Sequence, residues 1–174
     1  MKKSAIPKYR FKSVLDITVA DLQKMGAKAV GLDIDNTIAF DGTTNFVEGI
    51  DDWIKMVTDA SIPITIVSNS IKKRVSMIGK LINLPFIASS KKPMPNKLYK
   101  AAEMMNVDIS EFAMIGDQLF ADIMAANRAG AIAVRVDPMQ GETRWAMYYA
   151  WRRGREVPYI KEFEKNHGYG VYDD

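Results

Sequence analysis

The sequence predicts an α/β fold, a Rossmann-like, doubly wound parallel sheet, from three features of its pattern. Short apolar runs alternate with segments of helical periodicity along most of the chain. The runs, such as AKAVGLDI, lack the apolar–polar alternation of a half-exposed strand and suit a sheet covered on both faces. Polar residues then gather just after the runs, beyond the carboxyl ends of the expected strands, where such sheets bind ligands. With 174 residues, 48% of them apolar, and no internal repeat or low-complexity linker, one domain over 1–174 is expected. It divides into a lead segment (1–25), a core (26–138) and a C-terminal helix with a tail (139–174).

Thr18, with Asp21 three residues on, has the form of a capping box for a short helix that Gly26 ends, and AKAVGLDI then makes the first buried strand. A helix from about Gly49 to Ala60, a strand from Ile64 to Ser68, a helix from Ile71 to Ile82 and a short strand around Phe86 follow. Pro95 suits the first turn of a helix running through Met105, because its missing N–H would have no partner there. Phe112 to Gly116 reads as a strand, Leu119 to Arg128 as a helix stopped by Gly130, and Ile132 to Val136 as a strand. The last helix, Glu142 to Arg153, contains Trp145, Tyr148, Tyr149 and Trp151; their spacing favours packing onto the core over a surface for lipid or stacked bases. The closing NHGYGVYDD reads as a frayed tail.

Composition narrows the chemistry. There is no cysteine, which excludes disulfides, thiolate metal sites and cysteine nucleophiles, and the one histidine, His167, falls in the expected tail. Carboxylates without histidine or cysteine favour a hard cation held by oxygen, hence Mg²⁺. The net charge is +3, with basic residues gathered at the ends: Lys2, Lys3, Lys8, Arg10 and Lys12, then Arg152, Arg153 and Arg155. These read first as solvated ends, although such clusters can meet phosphates, and with scattered aromatics they fall short of a nucleic-acid-binding signature. Neither a secretory signal nor a run of about 18 uncharged apolar residues is present, so a cytoplasmic protein without a transmembrane segment is expected.

Candidate functional residues lie on the expected strand ends. Asp33 and Asp35, in GLDIDNT, are two apart, so their side chains could leave an extended segment on one side before Asn36 and Thr37 begin a turn. Two carboxylates this close at the end of a buried strand need a cation or proton to offset their repulsion and desolvation. Ser68 and Asn69 end the second strand, and Asp117 follows the FAMIG strand with Asp122 further along. Taken singly, Asp117 and Ser68 read first as caps of the elements that follow them.

Together these segments resemble the four signatures of the haloacid dehalogenase (HAD) superfamily: Asp33 to Thr37 the first, Ser68 in VSNS the second, Lys92 in SKKP the third, and Gly116 to Asp122 in GDQLFAD the fourth. The resemblance spans about residues 26–138 and implies a HAD-like phosphatase. It implies Asp33 as nucleophile, forming an aspartyl-phosphate, and Asp35 as general acid and base. Asp33, Asp117 and the backbone carbonyl of Asp35 would hold Mg²⁺, Ser68 and the Asn69 amide would bind phosphate oxygens, and Lys92 would offset charge, with Lys91 as the alternative lysine. Asp122 would orient the metal shell or Lys92, and Thr37 would stand behind the site. The lead segment IPKYRFKSVLDITVADLQKMGAKAV, together with SKKP, GDQLFAD and ANRAG, is similar to the YqeG-like group of subfamily IIIA, which includes phosphatidylglycerophosphate phosphatases.

Only short intervals separate Asp35 from Ser68 and Ser68 from Lys92, so a capless, open site is expected. An open site suits a phosphate presented on something large, such as an anionic phospholipid at a membrane surface approached by the basic ends. Two rivals stand beside that reading: a phosphatase for a soluble sugar phosphate or nucleotide, and a non-catalytic module of the same fold that binds RNA or protein.

Overall fold

The computed structural model describes residues 3–139 and 146–172. Its six strands form one parallel sheet: β1 (Tyr9–Phe11), β2 (Ala29–Leu32), β3 (Ile64–Val67), β4 (Phe86–Ile87), β5 (Phe112–Gly116) and β6 (Ile132–Val136), in the spatial order β1-β6-β5-β2-β3-β4. Helices α1 (Val19–Lys24), α2 (Ile50–Asp59), α3 (Lys72–Leu81), α4 (Asn96–Met104), α5 (Met124–Ala129) and α6 (Ala146–Glu164) connect or flank them. All four residues of β2 and of β3 and all five of β5 and of β6 are buried, as strands with both faces covered must be. Separate apolar clusters lie on the two faces: Leu32, Ile66, Ile115 and Trp53 belong to one, Phe112, Met114, Leu98 and Ile123 to the other. Burying each such side chain contributes about 1.5–3 kcal/mol.

Local signals place the ends of several elements. Thr18 and Asp21 make both bonds of a capping box on α1, Thr18 Oγ1 accepting from the Asp21 N–H at 3.1 Å and the Asp21 carboxylate accepting from the Thr18 N–H at 2.9 Å. Trp53 of α2 donates its indole N–H to the Ile17 carbonyl at 2.7 Å, fixing the lead segment against the first face. The intervals that might hold a cap do not: after Asp35 the chain makes a narrow flap in which Ala39 bridges Phe46, and between Ser68 and Lys92 lie only α3 and β4.

Three expectations need correction. Sequence pattern gave no strand before Gly26, yet Tyr9–Phe11 pairs with Val134–Val136 as an edge strand; at three residues it is too short to show a period. The last helix does not stop at Arg153 but runs to Glu164 through Pro158, because Glu156 and Phe163 are anchored in the interior and this packing outweighs the helix-breaking tendencies of Gly154 and Pro158. Residues 142–145 of the expected helix lie outside the described residues. Nor is the final segment frayed: the Gly170 N–H donates to the Arg10 carbonyl at 2.8 Å, Tyr169 Oη donates to Asp137 at 2.6 Å, and His167 stacks between Phe163 and Tyr172. That arrangement gives His167 a packing role.

The order of strands reverses between β2 and β5, whose carboxyl ends present Asp33 and Asp117 side by side. At the end of β5 the backbone must come very close to Asp122: a Cβ on Gly116 would lie 2.4 Å from Asp122 Cγ and 2.6 Å from its Cβ. Gly116→Ala is therefore expected to destabilise the protein by about 1–3 kcal/mol by pushing Asp122 from its place. Denaturant unfolding of the two proteins measures this, and an unchanged midpoint would contradict the close approach.

Candidate active site

The carboxyl edge of the sheet collects side chains that are far apart in sequence. Lys92, buried on the loop after β4, donates to Asp33 Oδ1 at 2.7 Å and to the Val67 carbonyl at 2.6 Å, and pairs with Asp122 Oδ1 at 2.6 Å. Carboxylate oxygens of Asp33, Asp117 and Asp122 all lie within 4.8 Å of one another, and all three residues are buried. Asp122 rides on a π-helical turn, Leu119–Ile123, that precedes α5, where a plain helix from Leu119 was expected. Its carboxylate also accepts from the Gln118 N–H at 3.0 Å, which fixes it toward Lys92.

The other expected residues fall around the same cavity, of about 300 Å³, which Asp33, Asp35, Ser68, Asn69, Lys92 and Asp122 help to line. Asp35 does not join the carboxylate cluster. It turns toward α3, where Arg74 holds it through two N–H donors at 2.7 and 2.9 Å, while the Gly42 N–H of the flap donates to it at 2.9 Å. Ser68 Oγ accepts from the Ser70 N–H at 3.1 Å and so shapes the turn as well as facing the cavity. Asn69 braces the lysine loop: its side-chain oxygen accepts from the Lys92 N–H and the Ser90 hydroxyl, each at 2.7 Å, and its amide donates to the Lys92 carbonyl at 3.0 Å. Thr37 is buried, and among the described residues its hydroxyl has no hydrogen-bond partner. Of the two candidate lysines, Lys92 is buried among the acids and Lys91 is exposed.

Sequence reasoning missed Arg74 and misread Arg153. Arg153, grouped above with the solvated basic end, reaches from α6 to the Asp117 carboxylate, and its other nitrogen donates to Glu156 at 2.9 Å. Glu156 is fully buried and also accepts from the Leu119 N–H at 3.0 Å, so α6 is tied to the turn that carries Asp122. Arg10 is likewise no free charge, since it is bonded to Asp137 at 2.9 and 3.1 Å and paired with Glu164. Nothing in a single sequence distinguishes an arginine that folds back in this way from one left in solvent.

Burial dominates the electrostatics of the acidic cluster. Burial pushes Asp33 up to about 7, against the pull of Lys92 and with Asp122 adding to the rise. Burial likewise holds Asp117 well above the ordinary carboxylate range despite Arg153. For Lys92, burial acts to lower the pKa, but the Asp122 and Asp33 carboxylates outweigh it and keep the ammonium protonated. Asp117 Oδ1 is buried and accepts no hydrogen bond among the described residues. Three hard oxygen donors, one of them unpartnered, suit a divalent cation such as Mg²⁺, held by Asp33 and Asp117 with Asp122 beside them.

A raised carboxyl pKa means that, between the ordinary 3.8 and about 7, the folded chain keeps a proton on Asp33 that the unfolded chain releases. In the absence of metal this group therefore costs stability progressively as pH rises through that window. Asp33→Asn, in chelator, is expected to be more stable than the parent at about pH 8, with the gain fading toward about pH 4. Urea unfolding across pH checks this, and a gain that ignored pH would contradict it.

Comparison with known proteins agrees with this geometry. A family model described as mitochondrial PGP phosphatase matches residues 1–139. "Probable phosphatase YqeG" of Bacillus subtilis (strain 168) is 30% identical over 139 residues, 80% of this chain and 81% of that protein. Among solved structures, the cobalt-bound deoxy-D-mannose-octulosonate 8-phosphate phosphatase (YrbI) from Haemophilus influenzae has a TM-score of 0.52 at 18% identity, over 64% of this chain and 70% of that one. The 3-deoxy-D-manno-octulosonate 8-phosphate phosphatase from Moraxella catarrhalis, in complex with magnesium ion, phosphate ion and KDO, also gives 0.52, at 15% identity over 84% and 95% of the two chains. Those two show the shared fold alone, whereas the family match extends across the lead segment and every residue of the acidic cluster. The chain belongs to the family described as mitochondrial PGP phosphatase, and it is an enzyme of the HAD phosphatase type.

Proposed function

We propose that the protein is a Mg²⁺-dependent phosphomonoester hydrolase that acts through an aspartyl-phosphate on Asp33, with phosphatidylglycerophosphate as its candidate substrate. The observation that supports this best is the placement of Asp33: a buried carboxylate at the end of β2, gripped by Lys92 and within 4.8 Å of Asp117 and Asp122. Bound there, Mg²⁺ would screen the repulsion between carboxylate and phosphate and stabilise charge on the transferring group. Asp33 attacks phosphorus, and the bond to the leaving oxygen breaks as Asp35 gives that oxygen a proton. Water then attacks the aspartyl-phosphate, Asp35 takes its proton, and phosphate leaves with Asp33 restored. Between the two steps, when Asp35 is the carboxylate that awaits the water proton, Arg74 and the Gly42 N–H hold it in place. Lys92 keeps the nucleophile oriented, and Ser68 with the Asn69 backbone amide would bind the phosphoryl oxygens.

The family assignment favours catalysis over a non-catalytic module. It also supplies the lipid candidate, which the open edge without a cap domain suits. Among the described residues no helix is long and apolar enough to cross a membrane, so a lipid phosphate would be met at the surface. Fewer basic residues serve that contact than the charge clusters suggested, since Arg10 and Arg153 are engaged internally.

Phosphate release should require Mg²⁺ and fall by at least about a thousandfold in Asp33→Asn. In vesicles, phosphatidylglycerophosphate should be hydrolysed faster than a panel of sugar phosphates and nucleotides at matched concentration, and less so at high salt. Full turnover by Asp33→Asn would sink the mechanism. Preference for a soluble phosphate, with no binding to anionic vesicles at low salt, would remove the lipid reading and leave a phosphatase for small metabolites.

A further inference from the structure

Beside the catalytic cavity a second hollow, of about 560 Å³, opens between α6 and the loop and helix that follow Lys92 and Asp117; the two spaces share Asn69, Lys92 and Arg152. Arginine and aromatic side chains dominate its wall: Arg128, Arg152 and Arg155, with Phe120 and Trp151. The charges there differ in kind from the arginines elsewhere. Among the described residues Arg10, Arg74, Arg135 and Arg153 each pair with a carboxylate. Among the described residues Arg128 donates only to the Pro93 carbonyl, at 3.1 Å, and Arg155 lies over the rings of Trp151 at 4.8 Å and Phe120 at 5.7 Å. Arg152, only partly exposed, is within ion-pair distance of no carboxylate among the described residues, and none of the hollow's lining residues is acidic.

Three guanidinium groups that form no ion pair among the described residues, around one concave surface, create a field that attracts an anion, and planar forked donors suit phosphate oxygens in particular. The position matters as much as the charge. Arg152 stands where the two spaces meet, so a group it holds would belong to the same molecule as the phosphate over Asp33. The aromatic faces of Trp151, which is 59% exposed, and of Phe120 offer apolar area next to the arginines. Arg152 and Arg155 lie on α6, beyond the residues 1–139 that the family model matches.

We propose that this hollow is a subsite for a second phosphate, carried on the leaving group of the substrate, with Arg152 as its principal ligand and Arg128 and Arg155 as flanking charges. The inference rests on the phosphatase reading of Asp33 and adds what the site selects: a phosphomonoester whose alcohol also bears a phosphate, free or esterified. A lipid phosphodiester and a small soluble bisphosphate share that chemistry. They differ in whether the second phosphate carries a chain that can lie against Trp151 and Phe120.

The test uses the full-length protein and three substrates on one alcohol: propyl phosphate, propanediol bisphosphate, and the bisphosphate with its second phosphate esterified to dodecanol. The expected result is a kcat/KM at least about tenfold higher for a substrate with a second phosphate than for propyl phosphate, a preference that Arg152→Gln largely abolishes. Lys161→Gln, the same loss of charge at an exposed position on α6, should keep the preference. Calorimetric binding of propane bisphosphonate, a non-hydrolysable probe, should weaken about tenfold in Arg152→Gln. A preference confined to the free bisphosphate would support the subsite while removing the lipid from the proposed function; a preference shared by the diester would support both. Should no substrate be turned over, the phosphatase reading falls and the bisphosphonate binding alone decides the subsite. Equal rates on all three substrates, or binding and selectivity that Arg152→Gln leaves unchanged, would overturn it.

Discussion

Everything at the carboxyl edge of the sheet depends on one electrostatic constraint: three aspartates buried within 4.8 Å of one another must be kept from repelling the fold apart. Lys92 bridges Asp33 and Asp122, and Arg153 covers one side of Asp117. These two cations do not complete the compensation, since Asp33 and Asp117 both have raised pKa values and Asp117 keeps an unpartnered oxygen. A buried charge left short of compensation is costly, and sequences retain such an arrangement where a ligand completes it. On the proposed function, a cation bound between Asp33 and Asp117 would complete that compensation.

The parallel sheet explains why the constraint can be met with so few residues. β2 and β5 are neighbours at the point where strand order reverses, so Asp33 and Asp117 come together without any loop having to reach. Gly116 lets the Asp122 carboxylate approach closer than any residue with a Cβ would allow. Lys92 arrives from the far side of β3, and the Asn69 side chain holds its loop by three hydrogen bonds. The nucleophile candidate is thus set by rigid strands, while the groups that act on it come from turns braced to those strands.

How much of this was legible in the sequence follows from which interactions are local. The interior strands were readable because burial on both faces leaves unbroken apolar runs, and the bounds of β5 and β6 agree to the residue. The positions of Asp33, Asp35, Ser68 and Asp117 around one edge follow from the same reading, because each stands just beyond a strand, whereas Lys92, on the loop five residues past β4, was marked by the family resemblance alone. Three-residue β1 was not readable, and neither was the C-terminal course of α6. Its direction is set by Glu156 bonding Leu119 and by Arg153 bonding Asp117, contacts across 37 and 36 positions that no local pattern encodes. The contact of Arg74 with Asp35 spans 39 positions and is equally without a local signal.

The covalent role of Asp33 is the claim on which the chemical account stands, and trapping the intermediate tests it most directly. Protein mixed with a phosphomonoester and Mg²⁺, quenched in acid and reduced with borohydride, should yield a peptide in which Asp33 alone has become homoserine, the product of reducing an acyl phosphate. Turnover with no modification at Asp33, or with the modification at another carboxylate, would contradict the account.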